Sequence, residues 1–242
     1  MDKKKTIKKP DKKLTSKQRQ DRQIKWFIIL MVTVIAIIIL VPLIKLYVLD
    51  QFEYIGLDFQ RTQLGDNKFY STRLPVINMV GGYVGDFSIN LRNDPRVLEE
   101  EIEYKKITYA PVFQKEDVVY ISTGEMTRNC KEGTAAVLTI SGFLSQFAQM
   151  ETSGGISDET IANENNIPYI TCSNSQNNTV INIIEGEETK ITQTRDNCYI
   201  LEFKDCEVMK VSEKFLLEVI KGYMIDISKY IEKKETWWNP FD

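Results

Sequence analysis

The chain of 242 residues contains no histidine. That absence removes Ser-His-Asp and Cys-His catalysis and every zinc or haem site built on imidazole. No C-x-x-C pair is present, which argues against a zinc site made from thiolates. The patterns G-x-S-x-G, S-x-x-K and G-x-x-x-x-G-K-[ST] are missing too, so lysine-assisted serine chemistry and P-loop nucleotide binding have no support. Gly81-Gly82-Tyr83-Val84-Gly85 sits between two strand-like runs and does not open a helix, so it is no dinucleotide fingerprint. No catalytic residue, cofactor or metal-ligand set is nominated, and cysteine is absent before Cys130.

What the chain does have is an uncharged run of nineteen residues, Trp26 to Ile44, behind a lysine-rich start. About 20 apolar residues suffice for a helix to cross hydrocarbon. Residues 26–48 are therefore expected to form a transmembrane helix, with Pro42 permitting a kink, Lys45 snorkelling, and Trp26 and Tyr47 at the interfaces. The first 25 residues hold eleven Lys or Arg against three Asp, a net of +8, whereas the residues after Val48 carry a net of −12. Basic residues beside a span stay on the cytoplasmic side, which predicts a single-pass protein with its N-terminus inside and its remainder outside. Residues 1–25 then read as a disordered basic tail attracted to anionic lipid, with the bilayer and not nucleic acid as its partner. The apolar run is too long for an ordinary signal peptide, and KLYVLDQFEYIG offers no A-x-A-like cleavage site.

Beyond the anchor, Phe52, Ile55 and Phe59 recur at helical spacing and predict an amphipathic stalk over residues 49–66. Residues 67–231 are enough for one domain. Phe69–Met79 and Asp86–Leu91 predict a β-hairpin. Asp94 and Pro95 read as the N-cap and first residue of a helix, with the acidic run Glu99, Glu100, Glu101 and Glu103 as its solvated face. Val118–Thr123, a helix over Thr134–Met150, and Pro168–Cys172 predict a right-handed βαβ unit. Thr179–Ile184, Thr189–Thr194 and Cys198–Phe203 follow as antiparallel neighbours. A last short strand is expected over Cys206–Val211, and then a helix capped by Ser212 with Leu216, Val219, Ile220, Tyr223 and Ile227 on one face. The expected class is α/β, a mixed αβ sandwich in which helices cover a mixed sheet. Residues 232–242 form an aromatic tail.

Cys130, Cys172, Cys198 and Cys206 all follow the anchor, on the side expected to be oxidising, so two disulfides are expected. The βαβ reading brings Cys130 towards Cys172 and leaves Cys198 for Cys206. One extended strand would hold that second pair about 26 Å apart, far beyond disulfide reach. Without a bend between them, the pairs must cross between the first two cysteines and the last two. Asn177-Asn178-Thr179 is a glycosylation sequon on a predicted exposed turn.

The segments LRNDPR (Leu91–Arg96), PYITC (Pro168–Cys172), NCYILEFKDCE (Asn197–Glu207) and SEKFLLEVI (Ser212–Ile220) resemble a group of uncharacterised membrane-anchored proteins of small-genome archaea. The likeness covers about Phe69 to Ile225 and implies the anchored architecture without implying an activity.

Three functions compete. A non-catalytic interaction or envelope-assembly module would contact a membrane or cell-surface protein through Trp237, Trp238 and Phe241, because aromatic rings are enriched at binding hot spots. A ligand-binding or enzymatic domain would use the carboxyl ends of the βαβ strands, where Thr123, Glu125, Arg128, Ser173 and Asn174 are expected to collect. A pilin-like filament subunit would use the apolar helix for assembly, although Gln23-Ile24-Lys25 lacks the usual glycine of a processing site.

Overall fold

The structure is a computed structural model that describes residues 16–44, 50–77, 82–104 and 118–237. The lysine-rich segment before Ser16, Lys45, Tyr47, Gly81, Trp238 and Phe241 lie outside the described residues. The chain divides into two compact units, the first ending at Asp50 and the second beginning at Gln51.

Helix α1, Ser16–Ile44, is the core of the first unit. Its part from Arg22 to Ile44 holds an 18-residue stretch with a mean hydropathy of 3.3 and is long and apolar enough to cross a membrane. The one hydroxyl in its apolar centre is satisfied internally, since Thr33 Oγ1 donates to Ile29 O at 2.8 Å. That bond suits a medium without water, where an unpaired polar group is costly.

The second unit opens with a four-stranded antiparallel meander: β1 Gln51–Tyr54, β2 Leu57–Leu64, β3 Asn67–Ile77 and β4 Tyr83–Leu91. Strands β1 and β2 replace the expected helical stalk. The spacing of Phe52 and Phe59 arises from a hairpin, because the turn at Ile55-Gly56 sets the two rings directly opposite each other, 5.6 Å apart and stacked. Ile55 and Gly56 both have positive φ, 50° and 74°, as a tight primed turn demands. The expected hairpin of β3 and β4 is present, and alternate residues Tyr70, Leu74, Ile89 and Leu91 face inward.

Helix α2, Pro95–Glu101, begins as its sequence indicates: Asp94 Oδ1 accepts from Arg96 N–H at 3.0 Å, and Pro95 occupies the first turn. The remaining elements are β5 Glu103–Tyr104, β6 Val119–Thr123, α3 Glu125–Asn129, α4 Gly133–Gln146, β7 Thr152–Ile156, α5 Glu159–Asn165, β8 Thr179–Glu185, β9 Lys190–Arg195, β10 Cys198–Phe203 and α6 Val208–Trp237. They build a six-stranded mixed sheet in the order β5-β9-β10-β8-β6-β7.

Helices α4 and α6 lie between the two sheets. On one side Phe143 and Phe147 of α4 meet Phe87 of β4, and Tyr223 of α6 donates its hydroxyl to Pro75 O. On the other, Phe215 of α6 packs edge-on against Tyr199 of β10 at 5.3 Å. The mixed αβ sandwich is thus realised with two sheets and a shared helical layer, and one hydrophobic core joins them.

Further expectations change. The βαβ unit is present, but its second strand is Thr152–Ile156 and not Pro168–Cys172. The glycines of Thr-Ser-Gly-Gly-Ile hid the strand, yet Gly155 is required there, since a Cβ would come within 2.7 Å of Ile170. In the 168–172 segment only Tyr169 bridges a strand, at Ile156. Strands β9 and β10 do form an antiparallel hairpin, but β10 inserts between β9 and β8 and runs parallel to β8. Finally, Cys206–Val211 is a corner and a helix start: Asp205 and Cys206 have φ of 49° and 60°, which turns the chain into α6. Ser212 consequently lies inside α6 and does not cap it.

Candidate functional site

Strand β6 carries the chain to the carboxyl edge of the second sheet at Thr123, where Gly124 N–H donates to Ile183 O at 3.0 Å. Helix α3 is fixed to β8 by Thr127, whose buried hydroxyl donates to the same carbonyl at 3.0 Å. Helix α4 then starts hard against α3, and a Cβ at Gly133 would collide with the Thr127 carbonyl. Glycine is what permits this approach.

The result is an open cleft of about 330 Å³ between the first turns of α4 and the ends of β6 and β7. Ile121, Val137, Leu138 and Ile167 supply apolar walls, and Thr123 and Thr134 supply hydroxyls. Gly154 stands level with Ile121 in the parallel pairing, and a Cβ built there meets nothing within 4 Å. The missing side chain at Gly154 is therefore part of what opens the cleft. Thr123 is only 9% exposed and lines the cleft. Glu132, at the N-cap of α4, makes no side-chain cap bond, because its carboxylate pairs with Arg92 at 2.7 Å. The first turn of α4 therefore borders the cleft without a side-chain cap, and such a helix end favours an acceptor oxygen.

A wider hollow of about 760 Å³ lies beside the meander, bordered by Asp58, Gln60, Ser71, Arg73, Ser88 and Asn90. Two of its hydroxyls serve the sheet: Ser71 donates to Asn90 Oδ1 at 2.6 Å, and Thr72 donates to Asp58 O at 2.8 Å. The β6–α4 cleft is the stronger candidate because it lies at the carboxyl ends of two parallel strands.

Of the residues expected at a site, Thr123 lines the cleft and Glu125 is exposed at the start of α3. Arg128 is also in α3, with its side chain outside the described residues. Ser173 and Asn174 stand elsewhere, in a turn after Cys172, which is bonded to Cys198 at the opposite, amino end of β10. Asn174 folds on its own loop, accepting from Thr171 N–H at 2.8 Å and donating to Tyr169 O at 3.0 Å. Trp237 ends α6 with its side chain outside the described residues, as are Trp238 and Phe241 entirely. Asn177 is exposed on the turn before β8.

The disulfides are Cys130–Cys206 and Cys172–Cys198, with Cα separations of 5.4 and 5.7 Å. The pairing of Cys130 with Cys172 and Cys198 with Cys206 is thereby corrected. Cys198 opens the straight strand β10 and Cys206 lies past its end, so the two cannot meet, as the extended-strand distance requires.

A polar cluster on α6 escaped the sequence reading. Lys214, fully buried, bonds Glu99 Oε2 at 2.6 Å and Glu218 Oε1 at 2.7 Å, and its ammonium lies 4.2 Å from the centroid of the Tyr104 ring. Tyr54 donates to Glu99 at 2.6 Å. The expected solvated face holds for Glu100, Glu101 and Glu103, while Glu99 turns inward. Burial alone would raise the Glu99 carboxyl, but the bonds from Lys214 and Tyr54 prevail and hold it down at about 2. Next to Lys214, Glu213 accepts the N–H groups of Arg92 and Asn93 and the Asn93 amide. Burial pushes this carboxyl up to about 7 against those donors. The i, i+4 spacing of Lys214 and Glu218 is legible as a helical ion pair, but not its burial.

No family model, curated protein or solved structure matches the chain.

Proposed function

We propose that this chain is a single-pass membrane protein, cytoplasmic at its N-terminus, whose extracytoplasmic αβ domain is a non-catalytic binding module. The observation that carries the reading is the β6–α4 cleft, whose lining combines aliphatic walls and threonine hydroxyls without a titratable side chain among the described residues. Such a lining can hold and orient a molecule, but it offers no acid or base to move a proton. Its place at the carboxyl ends of parallel strands is where open αβ sheets receive ligands. The charge asymmetry about Trp26–Ile44 and the two disulfides support the orientation. The module belongs, in this reading, with the anchored archaeal proteins that its LRNDPR and SEKFLLEVI segments resemble.

The test is purification of the full chain and of Gly154→Val from native membranes, with mass spectrometry of what each carries. A small molecule retained by the wild type and lost from the folded variant supports the reading. Equal content in both would defeat it.

A second reading, contact with an envelope protein, draws on the outer edge of β7, which is bridged at Ile156 and leaves Thr152 to Gly154 at the sheet border. An added strand could pair there. A photocrosslinker at Ser153, used in native membranes, separates this reading by yielding a protein adduct.

A further inference from the structure

We propose that Asn177 is an N-glycosylation site, and that its oligosaccharide is attached before strand β8 joins the sheet. The inference goes beyond the binding-module reading and rests only on the extracytoplasmic placement of the domain.

Asn177-Asn178-Thr179 is the one N-x-S/T triplet in the chain with a residue other than proline at its centre. It follows the apolar anchor, as both disulfides do. The structure places Asn177 in an exposed turn, between the Cys172–Cys198 bridge and the first residue of β8. A bulky, hydrated sugar can leave the surface there without displacing the core. Because Thr179 pairs with Val119, the turn stands at the amino ends of β6 and β8. The β6–α4 cleft opens at the carboxyl end of β6, so the sugar attaches at the opposite end of that strand.

The threonine of the triplet is placed differently from the asparagine. Thr179 is 1% exposed and already part of the ladder with β6. The backbone around it is held too: Asn197 donates its side-chain amide to Gln176 O at 2.8 Å and to Asn178 O at 2.9 Å. Val180 N–H donates to Asn197 O at 2.8 Å. The motif requires the hydroxyl as well as the amide, and in the folded domain a transferring enzyme cannot reach that hydroxyl. Transfer therefore belongs to the emerging chain, before β8 is paired and before Cys198 meets Cys172.

The step is a displacement at the anomeric carbon of a sugar carried on a polyprenyl phosphate or diphosphate. A bond forms from Asn177 Nδ2 to that carbon, and the bond from the carbon to the phosphate oxygen breaks. The phosphate leaves with the electron pair, and the amide loses one proton. The lipid-linked sugar is the co-reactant, and nothing is oxidised or reduced.

The experiment isolates the full chain from membranes of its own host and reads the peptide holding Asn177 by mass spectrometry. A hexose-containing mass is expected on the wild type and on Thr179→Ser, with complete loss in Asn177→Gln and Thr179→Val. Since transfer precedes pairing of β8, these outcomes hold whether or not the Thr179 variants fold. Asp66→Asn combined with Lys68→Thr creates a second triplet on the exposed turn between β2 and β3, which reports on placement by itself. Folded, unmodified chain from a host without the transferase, given enzyme-bearing membranes and lipid-linked sugar, should stay unmodified.

A bare Asn177 beside a modified second triplet would overturn the proposal and leave the extracytoplasmic reading standing. Sugar at neither site would overturn it as well, and cleavage of the domain by protease applied from the cytoplasmic side would show that the placement fails with it. Sugar that persists in Thr179→Val, or transfer to the folded chain, would also overturn it.

Discussion

Lys214 and Glu218 form an ion pair of 2.7 Å one turn apart on α6, with side chains 0% and 2% exposed. Two charges this deep cost solvation energy that their attraction only offsets when other groups complete the geometry. Glu99 and the Tyr104 ring do so, which ties α2 and β5 to α6.

Lys214→Met leaves Glu218 buried without this cation and should destabilise the domain by about 3–5 kcal/mol. Lys214→Met combined with Glu218→Leu should recover much of the loss. Denaturant melts of the single and double variants test this, and a double variant no more stable than the single one would contradict it.

Glu213 sets a pH dependence of a particular sign. Its folded carboxyl titrates near 7, above the ordinary value of 4.5. A raised pKa means that the folded state binds the proton more tightly. The associated stability is therefore full below the unfolded value and is lost as pH rises through 7, up to about 3 kcal/mol. Glu213→Gln should flatten this part of the stability profile between pH 4.5 and 7. Thermal melts across that range measure it, and an unchanged slope would count against the assignment.

Glu99 acts in the opposite direction. Its carboxyl is held at about 2, so the stability it contributes is present above about 4.5 and lost as pH falls towards 2. Glu99→Gln should remove that acid limb while leaving the limb near 7 in place, which melts from pH 2 to 8 would separate.

The two disulfides differ in the length of chain they close. Cys130–Cys206 spans 76 residues and Cys172–Cys198 spans 26. Loop-closure entropy gives about 4.5 kcal/mol for the longer and about 3.5 kcal/mol for the shorter. Replacing both cysteines of the longer bridge with serine should therefore destabilise the domain more than the same change in the shorter one. Non-reducing peptide maps should recover the crossed linkages, and a Cys130–Cys172 peptide would refute them.

Gly133→Ala should be damaging although it adds one methyl group to a helix. The added Cβ meets the Thr127 carbonyl, which cannot move without releasing Thr127 from Ile183. A cost of about 1–3 kcal/mol is expected, read from melts. Gly142→Ala is the control, since nothing lies within 4 Å of its Cβ.

Features that depend on neighbours in the chain were legible before any fold was known. The apolar helix, the Asp94–Pro95 helix start, the β3–β4 and β9–β10 hairpins and the apolar face of α6 all express local periodicity, capping or turn chemistry. Features that depend on remote partners were decided by tertiary structure. Phe52 and Phe59 have helical spacing, yet a turn with two positive φ angles makes them cross-strand partners. Gly154 and Gly155 argue against a strand by propensity, while packing against Ile170 and pairing with β6 place them in one. The insertion of β10 beside β8 sets the crossed disulfides, and the burial of Lys214 follows from what α2 and β5 bring to it. Sequence determined the anchor and most of the elements, because helix and turn energies act over a few residues. The cleft, the strand order and the buried charges needed the assembled core, because burial and pairing are properties of groups that meet only when the chain has folded.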